Sequence, residues 1–129
     1  MKSPAIRFRL FAVLLFLIGM LLASCGGGAS PEFSDPVFQR GQRIFKRECT
    51  ACHSTKPGVN IVGPSLDGIA SRAGTRVDGL DSRAYIYRSI TKPSDYVVDG
   101  FVDQMPTTFR SSLTDEELDD LINFLLTLE

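Results

Sequence analysis

Cys49-Thr50-Ala51-Cys52-His53 is the stretch on which the reading of this chain turns. A C-x-x-C-H run is the attachment signature of a c-type haem. Two thiols three positions apart on one helical turn reach the two vinyl groups of a single porphyrin, and the adjacent imidazole then lies under the iron. Permanent thioethers also retain the cofactor outside the cell, where a lost one is not recaptured. Other uses of these residues fit less well. A structural zinc site takes four ligands, typically with a second Cys/His pair, and His53 is the single histidine of the chain. A thioredoxin-like dithiol needs a strand-helix-strand context, whereas the residues before Cys49 read as a helix and no parallel-strand pattern follows. A structural disulfide at this spacing is strained. One motif predicts one haem c, covalent through Cys49 and Cys52.

On the N-terminal side, Lys2, Arg7 and Arg9 precede an unbroken apolar run from Leu10 to Leu22. Its length suits the hydrophobic core of a secretory signal and falls short of the ~20 residues of a membrane-spanning helix, which is the alternative reading. The sequence that follows, Leu22-Ala23-Ser24-Cys25, resembles the lipobox of bacterial lipoproteins, which implies that Cys25 is acylated and becomes the mature N-terminus. Two or three acyl chains anchor stably where one binds reversibly; the alternative is a plain thiol near an ordinary cleavage site. The organisation expected is a removed leader over 1–24, a lipidated Cys25 with a flexible tether over 25–34, and a single domain over 35–129.

Composition agrees with one domain: 129 residues, 43% hydrophobic and 22% charged. Fourteen Lys and Arg against fifteen Asp and Glu give a formal charge of -1, and no excess of one sign points to nucleic acid. Without the first 24 residues, eleven cations against fifteen anions leave -4. A chain of about 105 residues has a thin core, and a bound cofactor supplements it.

An iron bound by His53 has a sixth position, and beyond residue 24 the chain has one methionine, Met105, in Gln104-Met105-Pro106. Met/His ligation is the pattern that raises the potential of cytochromes c. A lone Met is otherwise a soft filler of cores. The metal ligands expected are therefore His53 and Met105.

Helical patterning accounts for most of the rest. Asp35 caps and Pro36 opens a helix to about Cys49, with Val37, Phe38, Gly41, Ile44 and Phe45 in one arc and Arg40, Arg43 and Arg47 opposite, Lys46 at the margin. Gly41 inside the apolar arc costs roughly 1 kcal/mol of propensity, which points to close approach by another helix. Thr114-x-x-Glu117 is a capping box opening a helix from Asp115 to Leu128, with Leu118, Leu121, Ile122, Phe124, Leu125 and Leu128 apolar. A shorter helix begins at Asp81 and stops before Pro93, burying Ala84, Tyr85, Ile86 and Ile90. The stretches 54–76 and 94–112 read as loop, and no sheet of any size is expected.

Residues 36–128 resemble a class I monohaem cytochrome c of the bacterial type. The likeness lies in Gly41-x-x-x-Phe45, the C-x-x-C-H run, Gly63-Pro64-x-Leu66, Ile90-x-x-Pro93, Gly100-Phe101 before Met105-Pro106, and a final Leu-rich helix. The chain is most similar to cytochrome c domains fused to subunit II of some haem-copper oxidases and to small lipoprotein cytochromes of respiratory and photosynthetic complexes. The resemblance implies an all-α fold of three main helices and loops around one covalent haem c, with Gly41 and Phe45 meeting the last helix near Phe124. It also implies that the backbone carbonyl of Pro64 accepts from the second ring nitrogen of His53. Leu66 and Ile69 are expected haem contacts, and Arg72, with Arg76 behind it, is a candidate partner of the haem propionates.

With both axial positions filled by protein, no small-molecule substrate reaches the iron and one-electron transfer is the expected activity. A haem peroxidase or a gas-binding protein would need Met105 displaced. The expected partners are a membrane-embedded redox complex and, through the lipid on Cys25, the membrane itself. The expected place is the periplasmic or extracytoplasmic face. A free relay and a fixed subunit of a quinol-oxidising, alternative complex III-like or oxidase complex both fit. Charge patterning suggests docking: the Arg40, Arg43 and Arg47 face with Lys46 and Lys56 is basic, the helix from Asp115 to Asp120 is acidic, and the basic face would meet an acidic partner. The alternative is a solvated helix face.

Overall fold

The computed structural model describes residues 35–129; the expected leader, the lipidated Cys25 and the tether lie in residues 1–34, outside the described residues. Helix α1 runs Pro36–Glu48, with the Asp35 side chain accepting from the Val37 N–H and Pro36 in the first turn. Helix α2 is a single turn, Ile69–Arg72, continued by a 3-10 turn over Ala73–Thr75. Helix α3 runs Ser82–Thr91, capped by Asp81 through the Ala84 N–H, and a 3-10 turn at Pro93–Asp95 follows. Helix α4 is the turn Phe109–Ser112, and α5 runs Asp115–Leu125. No strand occurs among the described residues.

The three main helices form where caps and periodicity place them. Two segments read as loop contain helical turns instead, α2 with its 3-10 continuation and α4. Each is too short to have a period of its own, and each is held by what it packs on: Ile69 and Ala73 are buried in the core and Phe109 packs against it. The last helix ends at Leu125, earlier than Leu128, because the chain tightens there. Thr127 N–H donates to Phe124 O, Leu128 N–H donates to Leu125 O, and Leu128 O accepts from Ala70 N–H. The carbonyls of Phe124 and Leu125 are thus satisfied within the final turn, and that of Leu128 by α2.

The core sits where α1 crosses α5. Phe38, Ile44 and Phe45 of α1 meet Leu118, Leu121, Ile122, Phe124 and Leu125 of α5. The Phe38 and Phe45 rings flank Phe124 at centroid distances of 5.4 and 5.3 Å. Gly41 makes the crossing possible: a Cβ there would lie 2.1 Å from the Asp120 carbonyl oxygen and 2.7 Å from the Phe124 Cβ. Val37 and Ala84, expected in the core, are only half-buried.

The charges across this crossing draw two arginines out of the expected basic face, whose Arg43, Lys46 and Lys56 stay exposed and enter no ion pair among the described residues. Arg40 is not on an open side; its Nε donates to Asp120 Oδ2 at 2.6 Å, Asp120 being 4% exposed, and its Nη2 lies 3.8 Å from Glu116. Arg47 bridges Glu48 at 2.5 Å and Glu117 at 3.2 Å. A 100° step per residue orders side chains around one axis only. It does not say that the second helix lies along the margin where Arg40 and Arg47 emerge.

The capping box at α5 forms as expected, with Glu117 N–H donating to Thr114 Oγ1 and Thr114 N–H donating to the Glu117 carboxylate. The Thr114 backbone N–H, and after it Arg47, hold the Glu117 carboxyl below its usual value of 4.5. A carboxyl lowered by folding contributes stability above its unfolded pKa and loses it as pH falls through the folded one. Glu117→Gln therefore flattens the acid limb of the stability curve, read by denaturant unfolding of both proteins above and below pH 4.5.

Candidate cofactor site

The end of α1 delivers the C-x-x-C-H residues to a cavity. Cys49 N–H donates to Phe45 O as the last helical bond of α1, and Cys52 and His53 N–H both turn back to Cys49 O at 3.0 and 2.9 Å. This tight turn carries Cys49, Cys52 and His53 onto one wall of a cleft of about 850 Å³ counted with its open side, concave and mostly apolar as cofactor sites are. A second space of about 640 Å³ shares Cys49, His53, Tyr85, Ser89, Met105 and Phe109 with it and is closed by Leu66, Ile69, Leu121 and Leu125.

His53 is held by the chain that follows it. Its Nδ1 lies 2.8 Å from the carbonyl oxygen of Pro64. A carbonyl only accepts, so Nδ1 carries the proton and Nε2 keeps the lone pair, the tautomer a metal takes. Gly63 packs flat against the ring, since a Cβ there would come within 2.5 Å of Cε1. Gly63→Ala is thus an overpacking change costing about 1–3 kcal/mol in denaturant unfolding. The ring must also turn from Pro64, so its Nδ1 proton exchanges faster in the variant by NMR.

Met105 reaches the cavity from the loop between the 3-10 turn at Pro93–Asp95 and α4, lining both spaces and packing against the core. Leu66 and Ile69, read from sequence as haem contacts, line the deeper space. Arg72 lies elsewhere. Its Nη2 donates to the Ser65 carbonyl oxygen and it stands outside both walls, with burial lowering its pKa from the usual arginine value. The helical turn at α2, not foreseen from sequence, rotates Arg72 towards the preceding loop. Among the described residues, neither Arg76 nor any other lysine or arginine lines the cavity.

Sequence reasoning missed Ser89, Tyr96 and Phe109 as wall residues. Tyr85 and Ser89 stand one helical turn apart on α3, so the burial of Tyr85 was a usable signal for Ser89. Tyr96 packs edge-on to Tyr85 at 5.8 Å across the 3-10 turn, a contact with no local pattern.

The thiols are free of each other, and burial pushes the Cys49 thiol up to about 12. Redox-active dithiols have a lowered thiol pKa. Cys49 is the reverse, a half-buried thiol with a raised pKa, which does not fit an exchange site. Apolar walls, two thiols, an oriented imidazole and a thioether therefore fit a haem.

The sequence model described as cytochrome c matches residues 38–129. This chain belongs to the cytochrome c family. Relatives of the cytochrome include cytochrome c2 of Rhodoblastus acidophilus, 48% identical over 41 residues, which are 31% of this chain and 37% of the relative. Cytochrome c type-1 of Ascaris suum is 33% identical over 51 residues, 40% of this chain and 46% of the relative. Cytochrome c of Euglena viridis is 35% identical over 54 residues, 42% of this chain and 48% of the relative. The matches span about half the length of these curated relatives or less. Helices without strands around the C-x-x-C-H turn make the cytochrome a class I monohaem type, and its cofactor is haem c, bound covalently through Cys49 and Cys52.

Proposed function

We propose that this cytochrome carries single electrons, with its iron held by His53 and Met105. The observation that carries the reading is that one imidazole and one thioether line the same apolar cavity, so that His53 and Met105 would hold the iron and leave no place on it for substrate. When bound, the haem supplies a reversible one-electron couple between ferric and ferrous iron. The chain's own residues do the rest. Cys49 and Cys52 retain the group, Pro64 O fixes the imidazole tautomer, and Leu66, Ile69, Leu121 and Leu125 exclude water. The reduced protein, without denaturant, should show no spectral change under carbon monoxide. Ready binding would instead support the peroxidase or gas-binding reading.

The electron relay is further proposed to work at the membrane, exported and anchored through lipid on Cys25 on the periplasmic or extracytoplasmic side. The signal-like residues 1–24 and the lipobox-like Leu22-Ala23-Ser24-Cys25 support this. Nine residues, Gly26 to Ser34, separate Cys25 from the α1 cap, a reach of about 17 Å as a flexible coil. So short a leash favours a cytochrome that serves a membrane-embedded redox complex, whether as a fixed quinol-oxidising or oxidase subunit or as a shuttle in the membrane plane. Native membranes in mild detergent, resolved on a native gel with haem staining, distinguish the two. Co-migration with large integral subunits means a fixed relay, and migration alone means a shuttle.

A further inference from the structure

Glu48 is the last residue of α1, where the helix itself has least use for a carboxylate. The C-terminal end of a helix carries the negative end of its dipole, which repels an anion and favours Lys or Arg. The ion-pair partner of Glu48 is its own neighbour: Arg47 Nε lies 2.5 Å from Glu48 Oε1, and the same guanidinium reaches Glu117 of α5 at 3.2 Å. Arg47 is 54% exposed, and a pair so open to solvent adds little to stability. One cation is shared between two carboxylates, so Glu48 is neutralised only in part.

What remains of that charge stands at the wall of the cofactor cavity. Among the described residues, Glu48 is the one acid that lines both spaces; Asp103 lines the open cleft alone, and no lysine or arginine lines either. The Glu48 side chain is 30% exposed, so solvent screens it incompletely. Its reach is visible on Cys49, whose thiol is pushed up first by burial and then by the Glu48 carboxylate.

We propose that the Glu48 carboxylate biases the iron of this cytochrome towards the ferric state, with Arg47 as the counter-charge that limits the bias. Reduction of ferric to ferrous iron adds one electron, forms and breaks no bond, and lowers the charge at the iron by one. A fixed negative charge at the cavity wall therefore opposes it. The inference rests on the electron-carrier reading, because it assigns a residue to the couple which that reading uses.

Equilibrium redox titration of the haem-loaded protein, with an electrode and mediators supplying the electron, tests it. Glu48→Gln should raise the ferrous-to-ferric ratio at a fixed applied potential about threefold, and Glu48→Asp, which keeps the charge, should stay near the parent. Arg47→Gln should lower the ratio, by less, since Arg47 lines neither space. Asp78→Asn removes an exposed acid away from the cavity and should leave the ratio unchanged. Guanidinium unfolding should give parent and Glu48→Gln the same midpoint, which separates a charge acting on the iron from a side chain that holds the fold.

An unchanged or lowered ratio in Glu48→Gln would overturn the proposal. So would an equal rise in Asp78→Asn, which would make net charge the cause, or a rise in Glu48→Asp as large as in Glu48→Gln, which would make it the shape of the side chain. A parent that binds carbon monoxide would strike the electron-carrier reading instead. Its ferric and ferrous forms still equilibrate with the electrode, so the comparison of parent and variants still reads the effect of Glu48.

Discussion

Gly41→Ala lowers the unfolding free energy of the haem-loaded protein by about 3 kcal/mol, measured by guanidinium denaturation. The sign is the informative part, because two effects oppose each other. Alanine in a helix interior is favoured over glycine by about 1 kcal/mol, so a helix judged alone would gain. The added Cβ, however, would meet the Asp120 carbonyl oxygen at 2.1 Å and the Phe124 Cβ at 2.7 Å. Neither is the far end of a flexible side chain, so α1 and α5 must separate by about 1 Å to reach ordinary contact near 3.5 Å. Separation loosens both phenylalanine contacts with Phe124 and stretches the Arg40 bond to buried Asp120. Unchanged or increased stability would mean that the two helices do not cross this closely.

Met105→Ala gives the second large effect. With the thioether gone, the reduced protein binds carbon monoxide without denaturant, which the parent does not. The reduction potential falls by on the order of 0.1 V or more, within the ~0.8 V range that axial ligands span. Losing a half-buried side chain packed on the core also lowers stability by about 2 kcal/mol, the lower end of the range for Met→Ala. Equilibrium redox titration and carbon monoxide difference spectra separate the two consequences: a merely structural Met105 would lose stability and leave the sixth position closed. The parent's potential and gas response thus decide whether Met105 is a ligand or a filler of the core.

The thiols, the imidazole and the thioether of the cofactor wall are legible in the sequence, while most of its apolar lining is not. Cys49, Cys52 and His53 are adjacent in the chain, and their spacing carries its own chemistry. Met105 stands out by elimination, as the one methionine after the leader. Pro64 and the Gly41 crossing come through family likeness, and the 2.8 Å bond to His53 and the contact at Phe124 agree with it. Arg72, a candidate partner of the haem propionates, bonds the Ser65 carbonyl and lines neither space. Its orientation depends on the short turn α2, which is held by burial of Ile69 and Ala73 and has too few residues to leave a periodic trace.

The amino-acid sequence by itself determined what nearest neighbours encode. It settled the haem-binding turn, the caps at Asp35, Asp81 and Thr114, the three main helices, and the face each one buries. Those follow from a dihedral preference, a hydrogen bond two or three residues along, or a 3.6-residue period. Tertiary structure alone decided where the charges go. Arg40 finds Asp120 across 80 positions, Arg47 finds Glu117 across 70, and Arg83 finds Asp119 across 36. A periodic pattern fixes the angle of a side chain around its own helix axis and says nothing of what lies opposite. The same composition therefore reads as a dipolar molecule in one dimension and folds into one in which the acids of α5 meet arginines far away in the chain.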